Sequence, residues 1–164
     1  MTEILILYIL SKYDATIYKI RKLIGEKFFM FSVLSFGTIT PALKRLEELS
    51  CVEFDTKMTD GGLVTKTYKI TPFGLKYLKS IIAGVEFKNK LNMLNKISIL
   101  ICVSDILEDE EKINLFNDCK NRLLLLRADI NNAVENPYNM YTELQKNVIN
   151  ANLSAVDKLL GEIQ

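Results

Sequence analysis

The sequence predicts a mostly α-helical protein carrying one small β-hairpin, and three observations predict it. Apolar residues recur at helical spacing through residues 4–10, 17–24 and 39–49, and again through most of the chain after Pro72. Only between Val52 and Thr71 does the pattern change to alternation, with Gly61-Gly62 separating two alternating runs. Across 164 residues, 49% are hydrophobic and 25% charged, a mixture that supports a packed core and argues against disorder. The length suits one domain, or a small domain with an appendage.

Each element follows from its local chemistry. Thr2 is suited to cap a first helix with Glu3 in its first turn, and residues 4–10 are so apolar that this helix must be almost wholly buried. Residues 11–14 break it. Thr16 caps a second helix to Phe28, with Ile17, Ile20, Leu23 and Ile24 inward and Lys19, Arg21, Lys22 and Lys27 around the rest. Residues 28–34 are apolar without a clear period and read as a helix end followed by a turn. A third helix opens at Ser35-Phe36-Gly37-Thr38, where Ser35 or Thr38 can act as the cap. Pro41 is expected in its first turn, where a missing N–H costs no hydrogen bond. The inward stripe is Ile39, Ala42, Leu43, Leu46 and Leu49, which leaves Thr38, Thr40, Pro41, Lys44, Arg45 and Glu48 facing out.

In the alternating segment, Val52 and Phe54 take one side and Glu53 and Asp55 the other, and residues 65–71 alternate through Tyr68 and Ile70. Pro72 then starts a helix with the stripe Leu75, Leu78, Ile81 and Ile82, expected to run past Gly84 to about Asn95. A further helix covers about 91–107. Asp109, Glu110 and Glu111 suit the positive end of a long helix whose apolar positions are Phe116, Cys119, Leu123, Leu126, Ile130 and Ala133. Asn136-Pro137 ends it. A last helix, from about Tyr138 to Ile163, sets Tyr141, Leu144, Val148, Ala151, Ala155 and Leu159 along a near-heptad seam.

Composition removes several classes of function. There is no histidine, which excludes His-based acid–base catalysis, Ser-His and Cys-His pairs and most zinc sites. No nucleophile–base pair or ligand cluster is visible, so no enzyme activity, metal or cofactor is expected. The acidic run 109–111 reads as helix-start electrostatics rather than a metal site. Cys51, Cys102 and Cys119 lack any CxxC spacing and lie in apolar stretches, as buried reduced thiols do. No basic segment precedes the first apolar run, and the longest apolar stretches fall far short of the ~20 residues a membrane span needs. A cytoplasmic protein with no membrane partner is the expectation. The net charge of +1 hides an asymmetry: residues 1–80 carry 12 Lys and Arg against 8 Asp and Glu, and residues 81–164 carry 9 against 12.

Three helices followed by a hairpin, in that order, are the parts of a winged helix-turn-helix, expected over residues 1–82, with an α-helical dimerisation region over 83–164. On that scaffold the third helix would enter a major groove, and the candidate DNA-binding residues are Tyr18, Thr38, Thr40, Lys44, Arg45, Lys57 and Lys66. Tyr18 is placed to meet a phosphate or to pack on the wing. Thr38 and Thr40 can bond to phosphates or bases, or Thr38 can serve only as a cap. Lys57 and Lys66 flank the wing loop, where cations reach a minor groove or the backbone, or simply face water. The two C-terminal seams have no other layer to bury them, which points to a homodimer through Phe116, Leu123, Leu126, Ile130, Leu144, Val148 and Leu159.

Phe36-Gly-Thr-Ile-Thr-Pro-Ala-Leu-Lys-Arg-Leu-Glu-Glu-Leu49, then Val52-Glu53, then Tyr68-Lys-Ile-Thr-Pro-Phe-Gly-Leu75 resemble the PadR family of bacterial regulators. That family's recognition helix reads approximately G-T-I-Y-P-A-L-K-R-L-E, and a Y-x-I/L-T-x-x-G stretch follows its wing. The resemblance covers about residues 3–80 closely and 86–163 more loosely, in the version with the longer helical tail. Three positions depart from it. Ile17 replaces a glycine, Thr40 replaces the recognition-helix tyrosine, and the wing run 61–66 is poor in cations. The resemblance implies a homodimeric repressor on an inverted-repeat operator of double-stranded DNA, released by a small hydrophobic or aromatic effector. The competing expectation, from the modest charge and depleted wing, is a protein–protein interaction module with little specific DNA binding.

Overall fold

A computed structural model describes residues 1–31, 34–58, 64–87, 90–132 and 139–163, excepting the side chains of residues 91 and 139–141. In chain order the elements are α1 (Thr2–Lys12), α2 (Ile17–Lys27), α3 (Phe36–Glu48), β1 (Val52–Met58), β2 (Val64–Ile70), α4 (Pro72–Ala83), α5 (Met93–Cys102), α6 (Asp109–Asn132) and α7 (Asn139–Ile163). The mostly helical class with one antiparallel hairpin is as the sequence predicts. The chain divides into two compact units, Met1–Glu86 with Leu94–Val103, and Phe87–Met93 with Ser104–Gln164.

The first unit is built around α1, whose residues 4 to 10 are all buried, as their uniform apolarity requires. Helices α2, α3 and α4 and strand β2 pack around it. The helix starts at Thr2 itself with Met1 as its cap residue, so Thr2 is not the N-cap the sequence suggested. Thr16 does cap α2, its side chain accepting from the Lys19 N–H at 3.3 Å. Just before it, Ala15 pairs with Tyr68 through both backbone bonds, 3.0 and 2.9 Å, adding a one-residue strand that fastens the hairpin to the helices.

Helix α3 buries Ile39, Ala42, Leu43 and Leu46 as predicted. Leu49 does not join them: it is the cap residue past the last helical turn and is exposed, and the chain turns away at Ser50, whose φ is 56°. Ser35 is the cap position, but its hydroxyl bonds to the Thr38 hydroxyl (3.1 Å) rather than to a free N–H. Helix α3 thus starts at Phe36, and Pro41 falls in its second turn instead of its first. It forfeits the bond its N–H would have given the Gly37 carbonyl.

The hairpin pairs Val52 with Ile70 at its base and Met58 with Val64 at the outer limit of the described strands. The Gly61-Gly62 turn lies outside the described residues. Thr71 joins hairpin to α4. Its hydroxyl donates to the Ser50 carbonyl (2.8 Å) and accepts from the Gly74 N–H (2.9 Å), while its own N–H donates to the Cys51 carbonyl (3.0 Å). Gly74 packs directly on that Cys51 carbonyl. The buried face of α4 is Gly74, Leu78 and Ile82, with Leu75 exposed. The helix stops at Ala83, with the Gly84 N–H closing on the Ser80 carbonyl, so the predicted run to Asn95 is replaced by a break and then a shorter α5.

In the second unit α6 and α7 pack along one another. Helix α6 buries Phe116, Cys119 and Leu123, and α7 buries Ile149, Leu153, Val156 and Leu160. That α7 stripe is one residue out of step with the predicted seam, a rotation of about 100° on a helix of 3.6 residues per turn. Leu144, Val148, Ala151 and Ala155 consequently face solvent, and Leu159 is half-buried. Lys120 and Asp157, 2.7 Å apart, tie the two helices. Phe87 and Lys90 lie on α6, through a Lys90–Asp129 pair (2.6 Å) and Arg122 over the Phe87 ring. Ala133, Asn136-Pro137, Tyr138 and the Tyr141 side chain lie outside the described residues. Among the described residues no helix is long and apolar enough to cross a membrane.

Candidate nucleic-acid interface

The burial of Ile39, Ala42, Leu43 and Leu46 sets the orientation of α3. Opposite them lie Gly37, Pro41, Lys44 and Glu48 along the outermost line of the helix, with Thr38 and Arg45 on one flank and Thr40 and Glu47 on the other. The N-terminal half of this face is low, made of glycine, proline and threonine, and Lys44 stands behind it. The Lys44 side chain is 77% exposed and pairs with the 63% exposed Glu48 at 4.0 Å, a geometry that restrains it little.

The two flanks are held differently. On one, Glu3 of α1 accepts from Arg45 Nε and pairs with Nη2, both at 3.0 Å, while the Tyr77 hydroxyl of α4 donates a long bond to its other oxygen at 3.5 Å. On the other, Glu47 pairs with Lys66 Nζ of β2 at 3.8 Å and accepts from the Tyr68 hydroxyl. Burial, reinforced by the Glu47 charge, pushes the Tyr68 hydroxyl up to about 12, and burial with Glu3 raises that of Tyr77. Lys66 Nζ also sits 3.6 Å over the Phe54 ring.

Of the seven predicted contacts, Thr38, Thr40 and Lys44 therefore share the outer side of α3, and all three are exposed. Tyr18 is exposed at the second residue of α2. Arg45 and Lys66 are turned to protein carboxylates. Lys57 and Lys66 are not brought together. Lys66 opposite Thr56 and Lys57 opposite Thr65 occupy different faces of the hairpin, Lys66 sharing that of Phe54 and Tyr68. The face bearing Lys57 also carries Lys69, which bonds Asp55 at 2.6 Å; that bond lowers the carboxyl pKa and raises the ammonium's.

Sequence reasoning missed Glu3, Glu47 and Tyr77, because no local pattern links residues 42 or 74 positions apart. It also expected three buried thiols, whereas Cys102 is exposed at the end of α5. Burial, then the Asp118 charge, pushes the Cys119 thiol up to about 12, and burial raises those of Cys51 and Cys102, the opposite of an activated nucleophile. Among the described residues no group of three or more His, Cys, Asp or Glu is placed to hold a metal ion.

The model of the transcriptional regulator PadR-like family matches residues 6–80. A solved PadR family transcription regulator from Clostridium difficile R20291 is 32% identical, over 49% of this chain and 81% of that one, with a TM-score of 0.42. A PadR-like transcriptional regulator from Bacillus cereus strain ATCC 14579 is also 32% identical, over 48% and 74%, with a TM-score of 0.40. Bacillus subtilis PadR in complex with operator DNA aligns with 99% of this chain and 98% of its own, at 19% identity and a TM-score of 0.48. No curated protein matches the chain.

Proposed function

The chain belongs to the PadR-like family of transcriptional regulators, and from that premise we propose that it binds double-stranded DNA as a homodimer on an inverted-repeat operator and represses transcription there. The observation that carries this is the outer line of α3: a low Gly37–Pro41 stretch flanked by Thr38 and Thr40, then an exposed Lys44. A helix with short side chains at its leading end can approach the floor of a major groove closely, and a cation behind them reaches bases or phosphates. Tyr18 and Lys57 are the candidates for the flanking phosphates.

The homodimer is supported by α7. Leu144, Val148, Ala151 and Ala155 follow one another at spacings of four, three and four on its solvent side, with Leu125 of α6 also exposed. A second copy would cover such a seam, and the two alanines allow close approach. Phe116 and Leu123 are already buried within one protomer, so the partner would meet Leu144, Val148 and the half-buried Leu126, Ile130 and Leu159.

Anisotropy of a labelled duplex at increasing salt tests the DNA reading. A phosphate-binding protein loses affinity in proportion to the ions it displaces, a log–log slope of about −0.9 per phosphate. We expect a slope corresponding to several phosphates. Affinity that stays flat with salt would instead favour a winged helix that docks another protein.

A further inference from the structure

We propose that Glu3 and Glu47 are the positioning residues of the DNA-reading surface: each carboxylate gathers one cation and one tyrosine hydroxyl, and together they fix α3 between the helical body and the wing. The inference rests on the DNA-binding function above and assigns to these two acids the geometry, and hence the selectivity, of that surface.

The two clusters have the same construction on opposite flanks of one helix. Glu3 bridges Arg45 of α3 and Tyr77 of α4, and Glu47 of α3 bridges Lys66 and Tyr68 of β2. Both acids are only 25% exposed, against 63% for Glu48, whose pairing with Lys44 is an ordinary exposed pair one helical turn apart. Glu3 and Glu47 each join separate elements, so they restrain the angle of α3 relative to α1, α4 and the hairpin. The Glu48 pair spans one turn of α3 and restrains nothing outside it. Lys66 has a second hold, its ammonium resting on the Phe54 ring.

A partly buried carboxylate also withholds its cation from other anions. Arg45 and Lys66, which local sequence places among DNA contacts, are in this geometry structural counterions, and Lys44 is left as the α3 cation that faces outward. If a carboxylate is removed, the freed cation gains phosphate contacts that carry no base information. Affinity for any DNA then rises while the helix that reads bases loses a restraint. The signature is a gain in non-specific binding coupled to a loss of discrimination, which a simple loss of stability would not produce.

The test compares the full chain with Glu3→Gln, Glu47→Gln and the control Glu162→Gln, which removes the acid of an exposed pair one turn apart in α7, each measured against a selected operator and an unrelated duplex over a range of salt. Glu3→Gln and Glu47→Gln should tighten binding to the unrelated duplex by roughly threefold or more, steepen the salt slope by about one, and lower the ratio of specific to non-specific affinity. Glu162→Gln should leave that ratio unchanged. Tyr68→Phe and Tyr77→Phe, which remove only a hydroxyl, should lower the ratio in the same direction by less, and they decide the matter if either glutamine variant fails to fold. Ratios equal to wild type in all four variants, with the wild type discriminating normally, would overturn this inference alone. A wild type that binds no DNA in a salt-dependent way would overturn the DNA-binding function and this inference with it.

Discussion

Lys44→Glu weakens operator binding by at least about 100-fold while leaving the melting temperature within about 3 °C of wild type. The binding loss follows from position. Lys44 projects from the outermost line of α3, and its replacement sets a carboxylate against phosphates and beside Glu48. A tenfold loss is about 1.4 kcal/mol, and a symmetric dimer would incur it at each half-site. The stability is spared because the side chain is 77% exposed and its ion pair with Glu48 is an exposed one at 4.0 Å, the class whose loss rarely exceeds about 0.5 kcal/mol. Gel shift and calorimetry on the same sample check both halves. The neighbouring Arg45→Glu behaves differently, because it places a second carboxylate against Glu3 and lowers stability as well as binding. Unchanged affinity in Lys44→Glu would remove this face of α3 from the DNA interface.

Gly74→Ala lowers the stability of the first unit by about 3 kcal/mol or more, and its melting temperature by more than about 10 °C. A Cβ at this position would stand 1.9 Å from the Cys51 carbonyl oxygen, 2.8 Å from its carbon and 3.0 Å from Ile70 Cγ1. The first two are backbone atoms already fixed, since the same carbonyl accepts from the Thr71 N–H. Relief requires moving α4 away from the base of the hairpin. Alanine's better helix propensity returns only about 1 kcal/mol, so the steric cost wins. Gly25→Ala supplies the contrast. Within α2, an added Cβ meets nothing within 4 Å, and the propensity gain of about 0.5–1 kcal/mol should appear undiminished as a higher melting temperature. Thermal melts of the two variants therefore shift in opposite directions.

The same crowding explains why part of the fold was legible. Thr71 and Gly74 are tied to the exit from α3 at Ser50 and Cys51, so the residues after the wing carry the topology in their identities. The inward stripe of α3 and the alternation of β1 and β2 were readable because each element has one buried side. Helix α7 was not, for a reason visible in its residues. It carries two adjacent apolar stripes, 144-148-151-155-159 and 149-153-156-160, and periodicity alone does not say which one a neighbouring helix covers. The end of α4 was also hidden, because apolar residues continue through Ile82, Val85 and Phe87 across the Gly84 break.

In the candidate site, exposure was legible and partnership was not. Lys44, Thr38 and Thr40 face out because the four buried residues of α3 force them to. Nothing local to Arg45 or Lys66 announces that Glu3 and Glu47 hold them, since those pairs exist only once α1 and the wing close on α3. Base composition or motif alone would have counted both as free cations. On the proposed DNA-binding function, their capture leaves Lys44, Thr38 and Thr40 as the outward-facing candidates on α3.

In vitro selection with the full chain on a random-sequence duplex library bears most directly on all of this. A dimeric winged helix whose Lys44 face reads the major groove must return an inverted repeat, its half-site centres about one helical turn apart, roughly 10 base pairs. A library that comes back with no sequence enriched over its input would contradict sequence-specific DNA binding by this protein.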